Sequence, residues 1–366
     1  MKKIKVNLGP RSYDIIIGSN ILKYLGVYLK RLNVPRDIFI ITNKNIKGKY
    51  AGTIKQALRK SGYSCKFYTT IDSEKAKSID NALRLIEILA EYAGQKKIAI
   101  LAFGGGVVGD LASFIASIYK RGVPLIHVPT TLLAQVDSAI GGKTAIDLKI
   151  AKNLVGTFYQ PRVVFCEINF LKSLDRKQIR SGLAEIIKYA FIKDENLLRF
   201  LESSYQLIFK NDIKALERIV SECAKIKAGF VELDEKEEKG IRTLLNFGHT
   251  IGHAVETAGG YARYNHGEAI SIGMLCAAKI SLKMDLLDSE ICQRLTDMII
   301  KTGLPQEISG IKEKELIKAY KLDKKFVGKT NRFVLLKKIG RPVIYENVPQ
   351  NIIHSAIREL FISSAS

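Results

Sequence analysis

Short apolar runs alternate with amphipathic stretches over the first 130 residues of the chain. Asp37–Thr42 and Lys97–Phe103 have the short, apolar pattern of buried strands, whereas Ser78–Ala93 has apolar residues at helical spacing. Strands and helices in alternation predict a parallel sheet covered by helices. The same criteria predict strands at Ile4–Leu8, Asp14–Gly18, Tyr63–Tyr68 and Val123–Pro129, and helices at Asn20–Leu32, Lys49–Ser61 and Leu111–Tyr119, with Asn20 as an N-cap.

Helical periodicity dominates from about residue 175 onward. Strands are expected there only at Arg332–Ile339 and Pro342–Tyr345, before a closing helix at Pro349–Phe361. The pattern therefore predicts an α/β domain with a Rossmann-like parallel sheet over residues 1–175, and a mostly α-helical domain over residues 176–366. The other predicted helices of the second domain are Gln178–Ile192, Asn196–Phe209, Asp212–Glu232, Thr243–Ala258, Glu268–Met284 and Ser289–Thr302.

Length and composition are those of a globular protein of two domains. The chain has 366 residues, of which 47% are hydrophobic and 26% charged. Its apolar runs, such as Ile98–Phe103, are far shorter than the roughly 18 residues that would span a bilayer, and no apolar segment typical of a signal peptide follows the first lysines. The five cysteines include no CxxC pair, which suits reduced thiols. We expect a cytoplasmic protein with no membrane partner.

The net charge of +22 comes from 58 basic and 36 acidic residues. A basic protein attracts either nucleic acid or small anions. The chain has no basic run of five or more residues, no interleaved aromatic residues and no zinc-finger spacing. We therefore expect an anionic small molecule as the partner and no nucleic acid.

Three of the five histidines lie within eighteen residues. His249 and His253 are four apart and would share one helix face, and His266 follows in an Asn-His-Gly-Glu turn. Neutral imidazoles beside a carboxylate suit a divalent ion such as zinc. Glu185, three residues before Lys188 on another predicted helix, is the best carboxylate candidate to complete such a site. A surface ion pair is the alternative explanation for Glu185 and Lys188.

A glycine loop follows the strand at Lys97–Phe103. Gly104–Gly109 has the spacing G-x-G-x-x-G after a strand and before a helix, which suits a pyrophosphate at a helix N-terminus. The loop lies about a hundred residues into the chain and lacks the acidic residue expected about 20 positions later, so an ordinary Rossmann fingerprint does not fit. Further along, Asp137, Lys143 and the pair Lys152-Asn153 accompany a second Gly-Gly turn, in a pattern typical of phosphate or carboxylate binding.

Six segments together resemble the 3-dehydroquinate synthase family. In chain order they are GGGVVGD, RGVPLIHVPTTLLAQVDSAIGGKTAID, KNLVGTFYQP, SGLAEIIKY, LNFGHTIGHAVE and NHGEA. The resemblance extends from Ile38 to about Ile339. It implies an N-terminal NAD-binding domain, a C-terminal domain for metal and substrate, and the second reaction of the shikimate pathway. The substrate would be 3-deoxy-D-arabino-heptulosonate 7-phosphate, an anionic sugar acid phosphate.

The resemblance also implies a ligand set for zinc or cobalt. It consists of Glu185, His249 and His266, whereas the spacing alone pairs His249 with His253. His253 is then implied to contact substrate. The other positions implied to contact substrate are Asp137, Lys143, Asn153, Lys188, Lys227, Arg242, Asn246 and one lysine of the stretch Asp323–Lys325, for which Lys324 is favoured over Lys325. Arg121 matches an arginine that the family supplies across a dimer interface, so a homodimer is implied.

The positions implied to bind NAD lie in several segments. One of them, Asp72–Lys77, would be interpreted from its residues alone as a solvated charged loop. The implied residues are Asp72, Glu74, Lys77, Gly105, Gly106, Val107, Val108, Gly109, Asp110, Thr130, Thr131, Lys143, Lys152, Phe170, Leu171, Lys172 and Ser173. Two alanines, Ala145 and Ala151, replace common glycines of the family without removing a functional group.

Three other functions remain open at this point. A sister sugar phosphate cyclase, of the 2-deoxy-scyllo-inosose or epi-valiolone synthase type, would act on a substrate without a carboxylate. A metal-dependent alcohol or glycerol dehydrogenase would release NADH and would not need the array of lysines. A binding protein that retained only the fold would be indicated by a broken ligand set, but Glu185, His249 and His266 are all present.

Overall fold

The computed structural model describes residues 1–148, 150–327 and 330–361. Its internal contacts divide the chain into two compact units. The first consists of Met1–Leu174 and Asn211–Lys236, and the second of Asp175–Lys210 and Glu237–Ser366. Within the described residues no helix is long and apolar enough to cross a membrane.

A seven-stranded sheet forms the centre of the first unit. The strands lie in the order β1-β2-β7-β6-β5-β3-β4; β1 pairs antiparallel with β2, and every other pairing is parallel. This confirms the predicted Rossmann-like parallel sheet. The strands are β1 (Lys2–Val6), β2 (Tyr13–Gly18), β3 (Asp37–Asn43), β4 (Ser64–Thr70), β5 (Ile98–Gly104), β6 (Leu125–Pro129) and β7 (Val163–Glu167).

Helices cover both faces of this sheet. Successive residues of a strand point to opposite faces, so Ile38 and Ile40 of β3 pack into one apolar cluster and Phe39 and Ile41 into the other. Because both faces are buried, the central strands are apolar throughout, and this pattern predicts them from the sequence. The first cluster contains side chains of α1 (Leu25–Arg31) and α2 (Lys44–Arg59), and the second those of α3 (Ile79–Ala93) and α4 (Gly106–Ile118).

Three local predictions in this unit differ from the structure. Asn20 is not an N-cap, because its φ is +56° and the carboxylate of Glu167 takes that role by accepting the amides of Asn20, Ile21 and Leu22. The second helix begins at Lys44, with Asn43 as its N-cap, and not at residue 49. Strand β7 was not predicted at all.

The second unit is mostly helical, as predicted. Its helices are α5 (Arg176–Lys193), α6 (Glu195–Phe209), α8 (His249–Ala258), α9 (His266–Lys283), α10 (Ser289–Thr302), α11 (Glu313–Val327) and α12 (Gln350–Arg358), and a ribbon of β8 (Arg332–Lys338) and β9 (Arg341–Glu346) accompanies them. The predicted helix Thr243–Ala258 is divided, because Gly248 adopts a φ of +82° between the short 3-10 helix Arg242–Asn246 and α8. Helix α11 was not predicted.

Helix α7 (Ile213–Leu233) belongs to the first unit, although it follows two helices of the second. It packs against β1 and β2, and Glu217 near its start accepts the amide of Ser19. The apolar pattern predicts two contiguous domains that meet at 175/176. The observed units are discontinuous, because the apolar face of α7 is buried on the α/β unit.

Candidate active site

Three helices of the second unit bring Glu185, His249 and His266 together. Glu185 lies on α5, and its Oε1 is 3.6 Å from His249 Nε2 and 3.4 Å from His266 Nε2. One ligand atom from each residue lies within 4.8 Å of the others, which is the spacing of a metal site. Among the described residues, no other group of histidine, cysteine and carboxylate side chains meets this criterion.

Both histidines occupy the first position of a helix. His249 begins α8 after Gly248, and His266 begins α9 after Asn265, whose side chain forms a capping box with Glu268. The positive end of a helix dipole disfavours a protonated imidazole, and a neutral imidazole is the form that binds metal. At His266 the neighbouring carboxylates of Glu185 and Glu256 oppose this effect of the helix. Asn265 and Glu268 therefore have a structural role close to the site, as the start signal of α9.

Glycines allow the three helices to approach closely. A Cβ added to Gly273 of α9 would lie 1.9 Å from the carbonyl oxygen of Gly248, and one added to Gly267 would lie 2.4 Å from Cα of Ser181 on α5. No side chain larger than hydrogen fits at such distances. The glycines that bring α9 against α8 and α5 therefore also determine the separation of the three candidate ligands.

Charge at the triad fits a divalent cation. Lys188 forms a buried ion pair with Glu185, and burial together with the Lys188 ammonium lowers the pKa of His249 well below its usual value. Burial alone would also lower the pKa of His266, but the carboxylates of Glu185 and Glu256 outweigh it and raise that pKa to about 10. Carboxylate charge that holds a proton on His266 would also attract a metal ion in its place.

His253 lies outside this ligand group. Its ring centroid is 5.4 Å from that of His249, and its side chain is exposed. The pairing of His249 with His253 that spacing alone suggested is therefore not the one that the structure assembles. Both residues are on α8, but the partners of His249 come from α5 and α9.

The remaining candidates of the second unit differ in burial. Arg242 is 2% exposed, and its Nε lies 3.4 Å from Oε1 of Glu237, whereas the side chain of Asn246 is exposed. A buried guanidinium offers planar, charged hydrogen-bond donors, which suit an anionic ligand. Lys324 lies on α11, and its side chain is outside the described part of the structure.

The glycine loop forms the N-terminus of α4 at a switch point of the sheet. The chain passes from β4 at one edge across to β5 on the other side of β3, and ligands of open α/β sheets bind where the strand order reverses in this way. Gly105 is the N-cap, and a Cβ there would lie 3.0 Å from Thr131. The loop, with Gly106, Val107 and Val108 in the first helical turn and Gly109 and Asp110 next, therefore presents backbone amides as an anion site would.

Unpartnered hydroxyls lie around this loop. Oγ1 of Thr130 and Oγ of Ser138 are buried without a hydrogen-bond partner in the described residues. Thr131, in contrast, caps the next turn by accepting the amide of Ala134. Buried hydroxyls of this kind are usually satisfied by water or a ligand, so the surroundings of the loop fit a dinucleotide.

Two of the candidate substrate residues in the first unit contact each other directly. Lys227 of α7 donates to Oδ1 of Asp137 at 2.7 Å and to its carbonyl oxygen at 2.8 Å. The position of α7 within this unit explains how residues ninety apart in sequence meet. Asp137 lies in a short π-helical turn, Ala134–Ser138.

The candidates Lys143, Lys152 and Asn153 lie on an irregular hairpin. Residues 142–148 and 150–159 pair through backbone hydrogen bonds such as Ile146 N to Val155 O at 2.8 Å and Tyr159 N to Gly142 O at 2.7 Å. Lys143 forms a bridge with Phe158 near the base, and Lys152 and Asn153 lie nearer the tip. The hairpin therefore presents all three residues on one local structure.

The segment Asp72–Lys77 is not simply a solvated loop. Asp72 is exposed and accepts hydrogen bonds from Asn43 and Asn45, but Lys77 is 2% exposed and forms an ion pair with Asp110 at 2.9 Å. The interpretation from its residues alone missed this burial. No local signal predicts it, because the partners of Lys77 are distant in sequence.

The last two groups of candidates in the first unit differ in exposure. Phe170 and Leu171 are buried, and Phe170 packs against Tyr50 and Phe103, while Lys172 is exposed and Ser173 is half-buried. The cofactor role of these four residues stays a prediction. Arg121 is exposed in a left-handed conformation, with a φ of +63°, after α4.

Comparison with known proteins identifies the family. Residues 67–181 match the N-terminal region of 3-dehydroquinate synthases, and residues 182–326 match the C-terminal region. The 3-dehydroquinate synthase of Desulforamulus reducens is 39% identical over 351 residues, which cover 96% of this chain and 98% of that protein. The enzyme of the same name from Dehalococcoides mccartyi is 41% identical over 361 residues, covering 98% and 100%.

Solved structures share the fold. A 2-deoxy-scyllo-inosose synthase complexed with carbaglucose-6-phosphate, NAD+ and Co2+ has a TM-score of 0.89 and 27% identity, covering 98% of this chain and 100% of the other. A 2-epi-5-epi-valiolone synthase of Streptomyces hygroscopicus, with NAD+ and Zn2+ bound, has a TM-score of 0.86 at 23% identity, covering 98% of each chain, and shows the fold alone. Identity is higher to the dehydroquinate synthases and extends over nearly the whole sequence. The chain belongs to the 3-dehydroquinate synthase family.

Proposed function

We propose that this protein is a 3-dehydroquinate synthase, which converts 3-deoxy-D-arabino-heptulosonate 7-phosphate into 3-dehydroquinate and phosphate. The observation that carries the proposal is the triad of Glu185, His249 and His266, assembled in a chain that is about 40% identical to enzymes of that name. The reaction consists of oxidation of a ring alcohol, loss of phosphate, re-reduction of the ketone, ring opening and an intramolecular aldol closure. Oxidation and re-reduction balance, so no net oxidant is consumed.

The residues that would hold the cofactors are already grouped. Glu185, His249 and His266 would bind zinc or cobalt, and three protein ligands leave coordination positions for substrate. When bound, NAD would accept a hydride from the carbon that bears the substrate's hydroxyl and return it later, while the metal would polarise that hydroxyl and ease the loss of its proton. The N-terminus of α4 would bind the pyrophosphate of NAD.

Residues of the second unit would position the carboxylate and hydroxyls of the substrate. Arg242 is buried and offers a planar guanidinium, which matches the geometry of a carboxylate. Asn246 and His253 are exposed and offer hydrogen-bond donors. Lys188 would place a buried positive charge beside Glu185, where it also keeps the neighbouring His249 neutral. Their task is orientation, because a substrate with this many polar groups reacts only in one arrangement.

Residues of the first unit would bind the phosphate group and a hydroxyl. Lys143 and Asn153 are exposed on the hairpin and would contact the phosphate dianion, with Lys324 as a further contact. Lys227 holds the Asp137 carboxylate at 2.7 Å, which would orient that carboxylate as an acceptor for a substrate hydroxyl. The net charge of +22 would raise the encounter rate of this anionic substrate.

We further propose a homodimer in which Arg121 reaches the active site of the partner subunit. Its support is the exposed, left-handed turn that carries Arg121, next to the exposed Ile118 at the end of α4. An exposed apolar side chain beside a projecting arginine is typical of a subunit interface.

The free thiols of all five cysteines suit a reducing compartment, and we place the enzyme in the cytoplasm.

The experiment that tests the function measures phosphate release from heptulosonate 7-phosphate, with catalytic NAD and zinc or cobalt, and identifies the product by mass. We expect phosphate in large excess over NAD, formation of dehydroquinate and no net NADH. Release from glucose 6-phosphate or sedoheptulose 7-phosphate instead would assign the protein to a sister cyclase. Stoichiometric NADH without phosphate would show a dehydrogenase.

A further inference from the structure

Lys77 is a buried cation surrounded by oxygen atoms from three parts of the first unit. Its Nζ lies 2.9 Å from Asp110 Oδ2, 3.3 Å from Glu74 Oε1 and 3.9 Å from Asp147 Oδ1, and it donates a hydrogen bond to Asn153 Oδ1. An ammonium has three N–H donors. Two of these donors form hydrogen bonds, to Asp110 and Asn153, and the carboxylates of Glu74 and Asp147 lie close to the same ammonium.

These contacts join segments with different proposed roles. Asp110 lies in the first turns of α4, directly after the glycine loop, while Asp147 and Asn153 belong to the hairpin that carries Lys143 and Lys152. The glycine loop is proposed to bind the cofactor, and the hairpin to bind the substrate phosphate. One buried side chain thus connects the two structures.

The backbone strengthens the same connection. The amide of Asp147 donates to the carbonyl oxygen of Lys77 at 2.7 Å, and the amide of Asn153 donates to Asp147 Oδ1 at 2.8 Å. Asn153 adopts a φ of +54°, a left-handed conformation that asparagine tolerates but that needs local support. The carboxylate of Asp147 supplies that support from one side and the ammonium of Lys77 from the other.

Charge explains why the cation can be buried here. Burial alone would lower the pKa of Lys77, but the carboxylates of Asp110, Glu74 and Asp147 outweigh it and raise that pKa. Removing the ammonium would leave three carboxylates close to one another without their common counter-ion. Because like charges repel in a partly buried site, the hairpin would separate from the start of α4.

We propose that Lys77 is a positioning residue that ties the phosphate-binding hairpin to the cofactor-binding turn of α4. The inference rests on the proposed function and deepens it, since it adds to the cofactor contact implied for Lys77 an indirect action on both ligands. It predicts that loss of Lys77 weakens NAD and the sugar phosphate together. A direct contact would weaken NAD and leave the hairpin unchanged.

The first experiment compares Lys77→Met with Lys75→Met, a matched control two residues away whose side chain is exposed. We expect Lys77→Met to raise both the Kd for NAD and the KM for heptulosonate phosphate by roughly tenfold or more, the scale of one charged hydrogen bond. Amide hydrogen exchange of residues 143–158, without ligands, should become faster. Lys75→Met should change none of these. Unchanged exchange in a folded Lys77→Met protein would overturn the proposal.

A second variant keeps the test decisive if Lys77→Met does not fold. Asp147 has no proposed contact with either ligand, so Asp147→Ala separates the two explanations. We expect it to speed exchange of the hairpin and to weaken NAD and sugar phosphate, with a non-additive effect in the double variant with Lys77→Met. NAD affinity unchanged in Asp147→Ala would contradict the proposal. A wild-type protein that bound no NAD would refute the proposed function, whereas the exchange experiment would still report on the connection.

Discussion

Two histidines on one helix, His249 and His253, have different surroundings although they are four residues apart. His249 lies close to Glu185 and His266, which belong to two other helices, whereas His253 is exposed. The burial and charge around each side chain, and not the spacing between them, separate a candidate metal ligand from a candidate substrate contact.

Replacing these two histidines should therefore give different defects. His249→Ala is expected to lose bound metal and turnover while keeping its fold, because it removes one of three ligands. His253→Ala is expected to retain metal and to show a raised KM. Metal content after dialysis, far-ultraviolet circular dichroism and steady-state kinetics measure the difference. Full activity of His249→Ala in chelator-treated buffer would contradict the ligand assignment.

His127 is buried on β6 and pairs with Ser113 of α4 at 3.0 Å. Burial lowers the pKa of His127 from 6.5 to about 4. In the unfolded chain this histidine takes up a proton below pH 6.5, but in the folded protein it does so only near pH 4. Folding stability therefore falls as the pH drops from 6.5 to 4, and this contribution is constant above and below that range.

The expected loss between pH 6.5 and 4 is about 3.5 kcal/mol, because each pKa unit corresponds to roughly 1.4 kcal/mol. Urea unfolding of the wild type and of His127→Gln at pH 7.5 and 4.5 measures it. The wild type should lose its advantage over the variant at the lower pH, since glutamine does not titrate. A pH-independent difference between the two proteins would refute the assignment.

At the scale of elements, the crossing of α5, α8 and α9 depends on glycine. This close packing brings the N-termini of α8 and α9 next to the middle of α5, where the three candidate ligands lie. The apolar pattern that predicts each helix is independent of this requirement. The apolar pattern can therefore predict a helix correctly without predicting its distance from its neighbours, because that distance depends on individual glycines.

Gly273→Ala tests the importance of the crossing. Its Cβ would overlap the carbonyl oxygen of Gly248, so we expect a loss of roughly 1–3 kcal/mol in stability and weaker metal binding. Gly229→Ala, on α7, is the matched control, because a Cβ there meets no atom within 4 Å and should stabilise the helix by about 0.5–1 kcal/mol. Thermal unfolding and metal titration distinguish them. Equal effects would argue against close packing as the cause.

At the scale of the whole molecule, the proposed role of Arg121 makes activity depend on assembly. If Arg121 acts in the partner's active site, each site needs residues from two subunits. A mixed dimer of two inactive variants would then contain one complete site. If Arg121 acts within its own subunit, no such site can form.

Co-expression of Arg121→Ala with His249→Ala distinguishes these cases. We expect about a quarter of the wild-type activity, since half of the randomly formed dimers would be mixed and each would have one working site of two. Each variant expressed alone is the control and should be nearly inactive. Absence of recovery, with mixed dimers demonstrated by differently tagged subunits, would place Arg121 in its own subunit's site or outside any site.

The fold class and most of the elements follow from the amino-acid pattern alone. Central parallel strands are buried on both faces, so they are apolar throughout and recognisable without any knowledge of their neighbours. The residues of the candidate site also stand out by type and by motif. Strand β7 is not predicted because it has only five residues, too few to show a clear period. Helix α11 is not predicted because its many basic residues obscure the apolar face.

Which of these residues meet depends on how the chain folds. The burial of Lys77, the partners of His249 and the membership of α7 in the α/β unit depend on segments that are distant in sequence. Periodicity reports which face of an element avoids water, but not which element covers that face. A charged side chain in a polar segment has the same local pattern whether it is solvated or held among carboxylates from elsewhere, so its role depends on the folded chain.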